Sequence, residues 1–101
     1  MTGVLESALR SNRDAGKKAL VPYITGGLGD DWVESLRASA ANGATAIEIG
    51  IPFSDPVMDG PTIQLASEQA LQSGASPVSV LQQRRGADIG VPLAVMTYYN
   101  I

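Results

Sequence analysis

The sequence predicts an α/β fold, a parallel sheet whose strands are joined by helical crossovers, belonging to the N-terminal part of a larger (β/α) domain. Two observations carry the α/β reading. Apolar, strand-like stretches at residues 19–24, 45–51 and 91–97 alternate with stretches whose apolar residues recur at helical spacing. Gly or Pro punctuates the junctions. A third observation makes the domain partial. Right-handed crossovers would set the intervening helices on one sheet face if the strands run in simple spatial order, leaving the other face open. Three strands cannot close a barrel over it. The sequence also stops directly after the third strand. The expected unit is therefore one partial domain over residues 1–101.

The elements follow in order. Val4, Leu5, Ala8 and Leu9 recur as an amphipathic leader helix, which Gly16 can stop. Residues 19–24 read as the first strand, although Pro22 suits only an end or an irregularity. Thr25-Gly26-Gly27-Leu28-Gly29 reads as an ordinary glycine-rich turn, and Asp30 or Asp31 can cap the next helix. Trp32, Val33, Leu36 and Ala40 form that helix's buried stripe, ended by Asn42-Gly43. The second strand spans 45–51. Pro61 suits a first helical position, and Ile63, Ala66, Ala70 and Leu71 stripe a helix ending near Gly74. Ser76-Pro77 reads as a cap and first-turn pair for a short helix reaching about Arg85, and 91–97 is the third strand.

Composition narrows the chemistry. Seven basic against ten acidic residues give a net charge of -3, which argues against a nucleic-acid partner. The pairs Lys17-Lys18 and Arg84-Arg85 read as solvated helix ends. Cysteine and histidine are both absent, so catalysis must rest on carboxylates, Tyr or Lys. The start carries an early acid and no long apolar run, and no stretch reaches the ~20 apolar residues of a membrane span. A cytoplasmic protein with no membrane partner is expected.

The stretch 46–60 concentrates the functional signal. Thr45, Ile47, Ile49 and Ile51 share one face of the second strand; Ala46, Glu48 and Gly50 share the other. Glu48 thus sits among small residues, where there is room to meet a ligand and exchange a proton with it. The structural alternative is a carboxylate at a sheet edge or one paired with a lysine. Asp55 and Asp59 lie in the loop at the C-terminal end of this strand, where parallel α/β proteins keep their sites. Both also suit turns or helix caps, and the turn reading is favoured for Asp55. Gly26, Gly27 and Gly29 have neither dinucleotide-fingerprint nor P-loop spacing. Tyr23, Tyr98 and Tyr99 stand near strand ends, suited to packing or to a ligand. On the open face, Ile24, Ala46 or Met96 would be uncovered, depending on pleat.

Ile47-Glu48-Ile49-Gly50-Ile51-Pro52-Phe53-Ser54-Asp55-Pro56, with Asp59-Gly60-Pro61-Thr62-Ile63-Gln64, resembles the signature of the tryptophan synthase alpha chain family. Leu20-Val21-Pro22-Tyr23-Ile24-Thr25-Gly26-Gly27 and Val95-Met96-Thr97-Tyr98-Tyr99-Asn100 extend the resemblance. It implies the first part of a TIM (β/α)8 barrel: leader helix, strands one to three and crossover helices. It also implies retro-aldol cleavage of indole-3-glycerol phosphate to indole and glyceraldehyde 3-phosphate, with no cofactor or metal. Glu48 matches the family's catalytic acid/base and Asp59 the aspartate that accepts from the indole N–H. Tyr98 and Tyr23 match residues lining the indole pocket. The implied protein partner is the tryptophan synthase beta chain, in an alpha2-beta2 tetramer. The alternative is a non-catalytic fragment whose loop from Pro52 to Gly60, with the adjoining helix, keeps only the surface that meets the beta chain. Two loops depart from the family pattern, at Val57-Met58 and at Gly26-Gly27-Leu28-Gly29-Asp30. The family's phosphate-binding loops belong to later strands, beyond Ile101.

Overall fold

The computed structural model of the chain describes residues 3–54, 59–85 and 88–97. Its elements run α1 (Val4–Asp14), β1 (Tyr23–Thr25), α2 (Trp32–Ala41), β2 (Ile47–Gly50), α3 (Pro61–Gln72), α4 (Pro77–Arg85) and β3 (Leu93–Met96). The strands form one parallel sheet in the order β1-β2-β3, so β2 is central. Every expected element is present, in its expected order.

The strands are shorter than the apolar stretches that announce them. The first was expected over 19–24, and β1 begins only at Tyr23. Pro22 has no N–H to give the ladder, so regular pairing cannot start before it. Its carbonyl still accepts from the Glu48 N–H at 2.9 Å, and that of Leu20 from the Thr45 N–H at 2.8 Å. The extended path therefore runs further back than the strand. Pro92 acts similarly before β3, accepting from the Ile47 N–H at 3.1 Å. Residues 45–51 shorten to Ile47–Gly50, although the Ile51 N–H continues the pairing to the Met96 carbonyl at 2.9 Å.

One sheet face carries the core. Ile47, Ile49 and Ile51 pack with Trp32 and Leu36 of α2 and Val80 of α4, and Ile24 and Leu93 join from the flanking strands. Ile24 therefore belongs to the covered side. Ala46 is fully buried, and of the three residues considered for the open side only Met96 is exposed. Trp32 Nε1 donates to Gln83 Oε1 at 2.6 Å, tying α2 to α4. Leu36 has no exposed surface, and Leu36→Ala in a full-length barrel chain is expected to cost about 2–5 kcal/mol, because the neighbours of a deleted core side chain collapse only partly. The measurement is the urea midpoint at unchanged slope. A loss under about 1 kcal/mol would place Leu36 outside the cooperative core.

Local grammar explains the helix ends. Ser76 and Ser79 exchange backbone-to-hydroxyl bonds, the Ser79 N–H to Ser76 Oγ at 3.1 Å and the Ser76 N–H to Ser79 Oγ at 2.9 Å. This is a capping box with Ser in place of the usual Glu or Gln, and Pro77 follows it at the first helical position. Asp31 occupies the N-cap position of α2, but its side chain makes no capping bond. At the other end of α3, the Gly74 N–H bonds the Leu71 carbonyl and the Ala75 N–H that of Ala70, both at 3.0 Å. That paired closure requires the positive φ of 94° found at Gly74.

Leu5, Ala8, Leu9 and Asn12 form the half-buried stripe of α1, while Val4, expected in that stripe, is 75% exposed. Asn12 Nδ2 donates to Thr45 Oγ1 at 3.1 Å and to the Lys18 carbonyl at 3.2 Å. The leader helix is thereby docked at the N-terminal end of β2. Gly26 is more than a turn residue. A Cβ there would fall 2.5 Å from Val80 Cγ1 and 3.3 Å from Ile49 Cγ2, so the missing side chain lets α4 close over the end of the sheet.

Candidate active site

With Ile47 and Ile49 in the core, the strand's two-residue period turns Glu48 to the opposite side of the sheet. Register puts Tyr23, Glu48 and Ala94 in one row and Thr25, Gly50 and Met96 in the next. Glu48 is half-buried on the central strand, so it does not lie at a sheet edge. The ion pairs among the described residues are Glu6–Arg10, Asp14–Arg13 and Glu34–Arg37, all at exposed positions. Glu48 is in none of them. Both structural alternatives for this carboxylate thus lose their support among the described residues.

The row above Glu48 is less empty than its small residues suggest. A Cβ added to Gly50 would lie 1.8 Å from Tyr23 Oη and 2.5 Å from its Cζ. The Tyr23 ring therefore crosses from β1 and sets its phenol over Gly50, filling part of the room expected for a ligand. At 36% exposure the ring remains open to solvent. The signal for this contact was a glycine two residues after Glu48 in a β-branched strand, since strand glycines mark close approach.

Asp59 is half-buried and follows the loop from the C-terminal end of β2. Gly60, not Asp59, takes the N-cap position of α3, with Pro61 next. Gln64 Nε2 donates to the Asp59 carbonyl at 2.7 Å, fixing the backbone at the helix entry. Tyr23 and Glu48 are thus brought together on one face, and Asp59 stands beyond the C-terminal end of the same strand. Asp55, Tyr98 and Tyr99 lie outside the described residues.

A hollow of about 310 Å³ opens beside Tyr23, with Thr25, Leu28, Trp32 and Ile63 in its walls. A second, of about 620 Å³, lies between the start of α1 and Val91-Pro92-Leu93, where β3 enters the sheet. Neither Glu48 nor Asp59 lines either hollow, and the first, which also has Ile24 and Ser35 in its walls, lies where β1 meets α2. Among the described residues no group of three or more His, Cys, Asp or Glu could hold a metal ion, and no helix is long and apolar enough to cross a membrane.

The family model of the tryptophan synthase alpha chain matches residues 9–101. The chain belongs to that family. The tryptophan synthase alpha chain of Halorhodospira halophila is 47% identical over 97 residues, covering 91% of this chain and 36% of the relative. That of Streptococcus mutans is 40% identical, covering 99% and 40%. The crystal structure of tryptophan synthase subunit alpha from Legionella pneumophila superposes with a TM-score of 0.81 at 34% identity, covering 99% of this chain and 40% of the other. A structure of Mycobacterium tuberculosis tryptophan synthase gives 0.88 at 36% identity, with coverage of 99% and 40%. The chain therefore spans about two fifths of the length of these alpha chains. The family is one of lyases, and the parallel sheet with its helices corresponds to the N-terminal part of the alpha chain's TIM barrel.

Proposed function

We propose that this chain, as a partial TIM-barrel domain over residues 1–101, supplies the acid/base half of an alpha-chain active site. The reaction is retro-aldol cleavage of indole-3-glycerol phosphate to indole and glyceraldehyde 3-phosphate. The observation that carries the reading is Glu48, half-buried on the central strand and facing away from the core beside Tyr23.

Cleavage requires one proton to be placed on the ring carbon that bears the glycerol chain. It requires another to be removed from the adjacent side-chain hydroxyl as the carbon–carbon bond breaks. Its electron pair returns to the ring and the hydroxyl carbon becomes the aldehyde. One proton enters and one leaves, so a single carboxyl group that gives the first and takes the second ends in its starting state. Glu48 is assigned that role. Asp59 accepts from the indole N–H, and its negative charge offsets the positive charge of the protonated ring. Tyr23 and Tyr98 flank the indole. No cofactor or metal takes part. The beta chain is the proposed protein partner, and the phosphate of the substrate is left to later loops of a complete barrel. The chain alone is accordingly assigned no turnover.

The direct test is assay of the complete barrel chain with indole-3-glycerol phosphate, reading release of indole. Asp59→Asn keeps an oxygen that can accept a hydrogen bond but removes the charge, so turnover should fall roughly 10²-fold with little change in KM, the scale of one lost electrostatic partner. A rise in KM at unchanged kcat would make Asp59 a uniform binding contact and end its mechanistic role.

A further inference from the structure

We propose that Gly50 is a positioning residue for substrate: its missing side chain is the seat that holds the Tyr23 phenol beside Glu48. The inference rests on the lyase reading above, and concerns which residue shapes the aromatic part of that site.

Three observations meet at this point. Tyr23 and Glu48 are register partners, so their side chains leave the sheet on the same face and at the same level. The Tyr23 ring does not stand upright there. It leans toward Gly50, the next residue of β2 on that face, so closely that an added Cβ would meet Oη at 1.8 Å, Cζ at 2.5 Å and Cε2 at 2.9 Å. At 36% exposure, the ring keeps a surface for a ligand to lie against.

Steric logic gives the consequence. Real Cβ atoms do not approach heavy atoms within 3.0 Å, so a methyl group at position 50 and the phenol cannot share this space. The β2 backbone is held on both sides, by the Gly26 N–H bonded to the Gly50 carbonyl at 2.9 Å and the Ile51 N–H bonded to the Met96 carbonyl at 2.9 Å. The Tyr23 side chain is therefore the part that yields, and it swings from its place next to Glu48. The wall of the aromatic site moves while Glu48 stays.

The experiment is a double-mutant cycle in the complete barrel chain, comparing wild type, Gly50→Ala, Tyr23→Ala and the pair, with indole release as the assay. Gly50→Ala should raise KM about tenfold with a smaller change in kcat, the size typical of coupled neighbours. In the Tyr23→Ala background the same substitution should change KM less than about threefold, because the added methyl group then has nothing to displace. Tyr23→Phe combined with Gly50→Ala should fall between, since losing Oη removes the closest clash and leaves that with Cζ. A merely structural glycine would show equal losses in both backgrounds, and that result would overturn the proposal. If Gly50→Ala alone fails to fold, folding of the double variant supports the seat and its failure to fold overturns it. A wild-type complete chain that does not cleave indole-3-glycerol phosphate removes the lyase reading and this inference together. An active wild type without coupling removes the inference alone.

Discussion

Glu48→Gln in the complete barrel chain is expected to lower the rate of indole release by at least about 10⁴-fold, at or above the top of the range for one general acid–base group. The amide keeps the carboxyl's shape and half-buried place on β2, but can neither give nor take the two protons of the reaction. Two proton transfers routed through one group justify the upper end of that range. KM should change little, because the proton transfers are made in the transition state and not on binding. Steady-state kinetics across substrate concentration read both quantities. A variant retaining more than a tenth of the wild-type rate would take Glu48 out of the chemistry.

The second large effect concerns residues 1–101 by themselves, which should show no indole release and should self-associate. Val95 and Met96 of β3 are 47% and 50% exposed, and Tyr23 of β1 is 36% exposed. β1 and β3 are the two ends of the three-stranded sheet, so each presents an outer edge to any strand that can pair with it. Ordering the backbone costs roughly 1 to 2 kcal/mol per residue, and a core built on one sheet face leaves little margin over that cost. Size-exclusion chromatography with light scattering, urea unfolding and the indole assay test this together. A monomer that unfolds cooperatively and cleaves indole-3-glycerol phosphate would establish the short chain as a working enzyme.

Much of the fold was legible because periodicity survives in single sequences. The isoleucines at 47, 49 and 51 announced both the strand and its buried side, and so placed Glu48 on the other. Ser76-Pro77 announced α4, and its reciprocal serine bonds bear that out. Strand limits were less legible, because hydrophobic pattern reports burial while pairing needs an N–H that Pro22 lacks. Val4 has the right spacing to join the α1 stripe, yet at the helix's first position it stays exposed. The Tyr23–Gly50 contact was half legible: a glycine in a β-branched strand marks a close approach but does not name what approaches. The contact joins two strands, and only their register brings the ring over the glycine. For Asp59 the local grammar of a turn and that of a ligand contact use the same residue types, and its place after β2 is shared with Asp55, so only the family resemblance singled it out.

Trp32 is the only tryptophan of the chain. It is 3% exposed, with its indole nitrogen bonded to Gln83 across the boundary between α2 and α4. The chain's tryptophan fluorescence, excited beyond the tyrosine band, is therefore set by a single site at which two helices meet, with no second indole in the sequence to average against. Any event that parts those helices must bring this ring toward water and shift its emission to the red. On the opposite side of the sheet, Glu48 can be altered without touching that ring. The molecule thus carries an optical gauge of helix docking that reads independently of its chemistry.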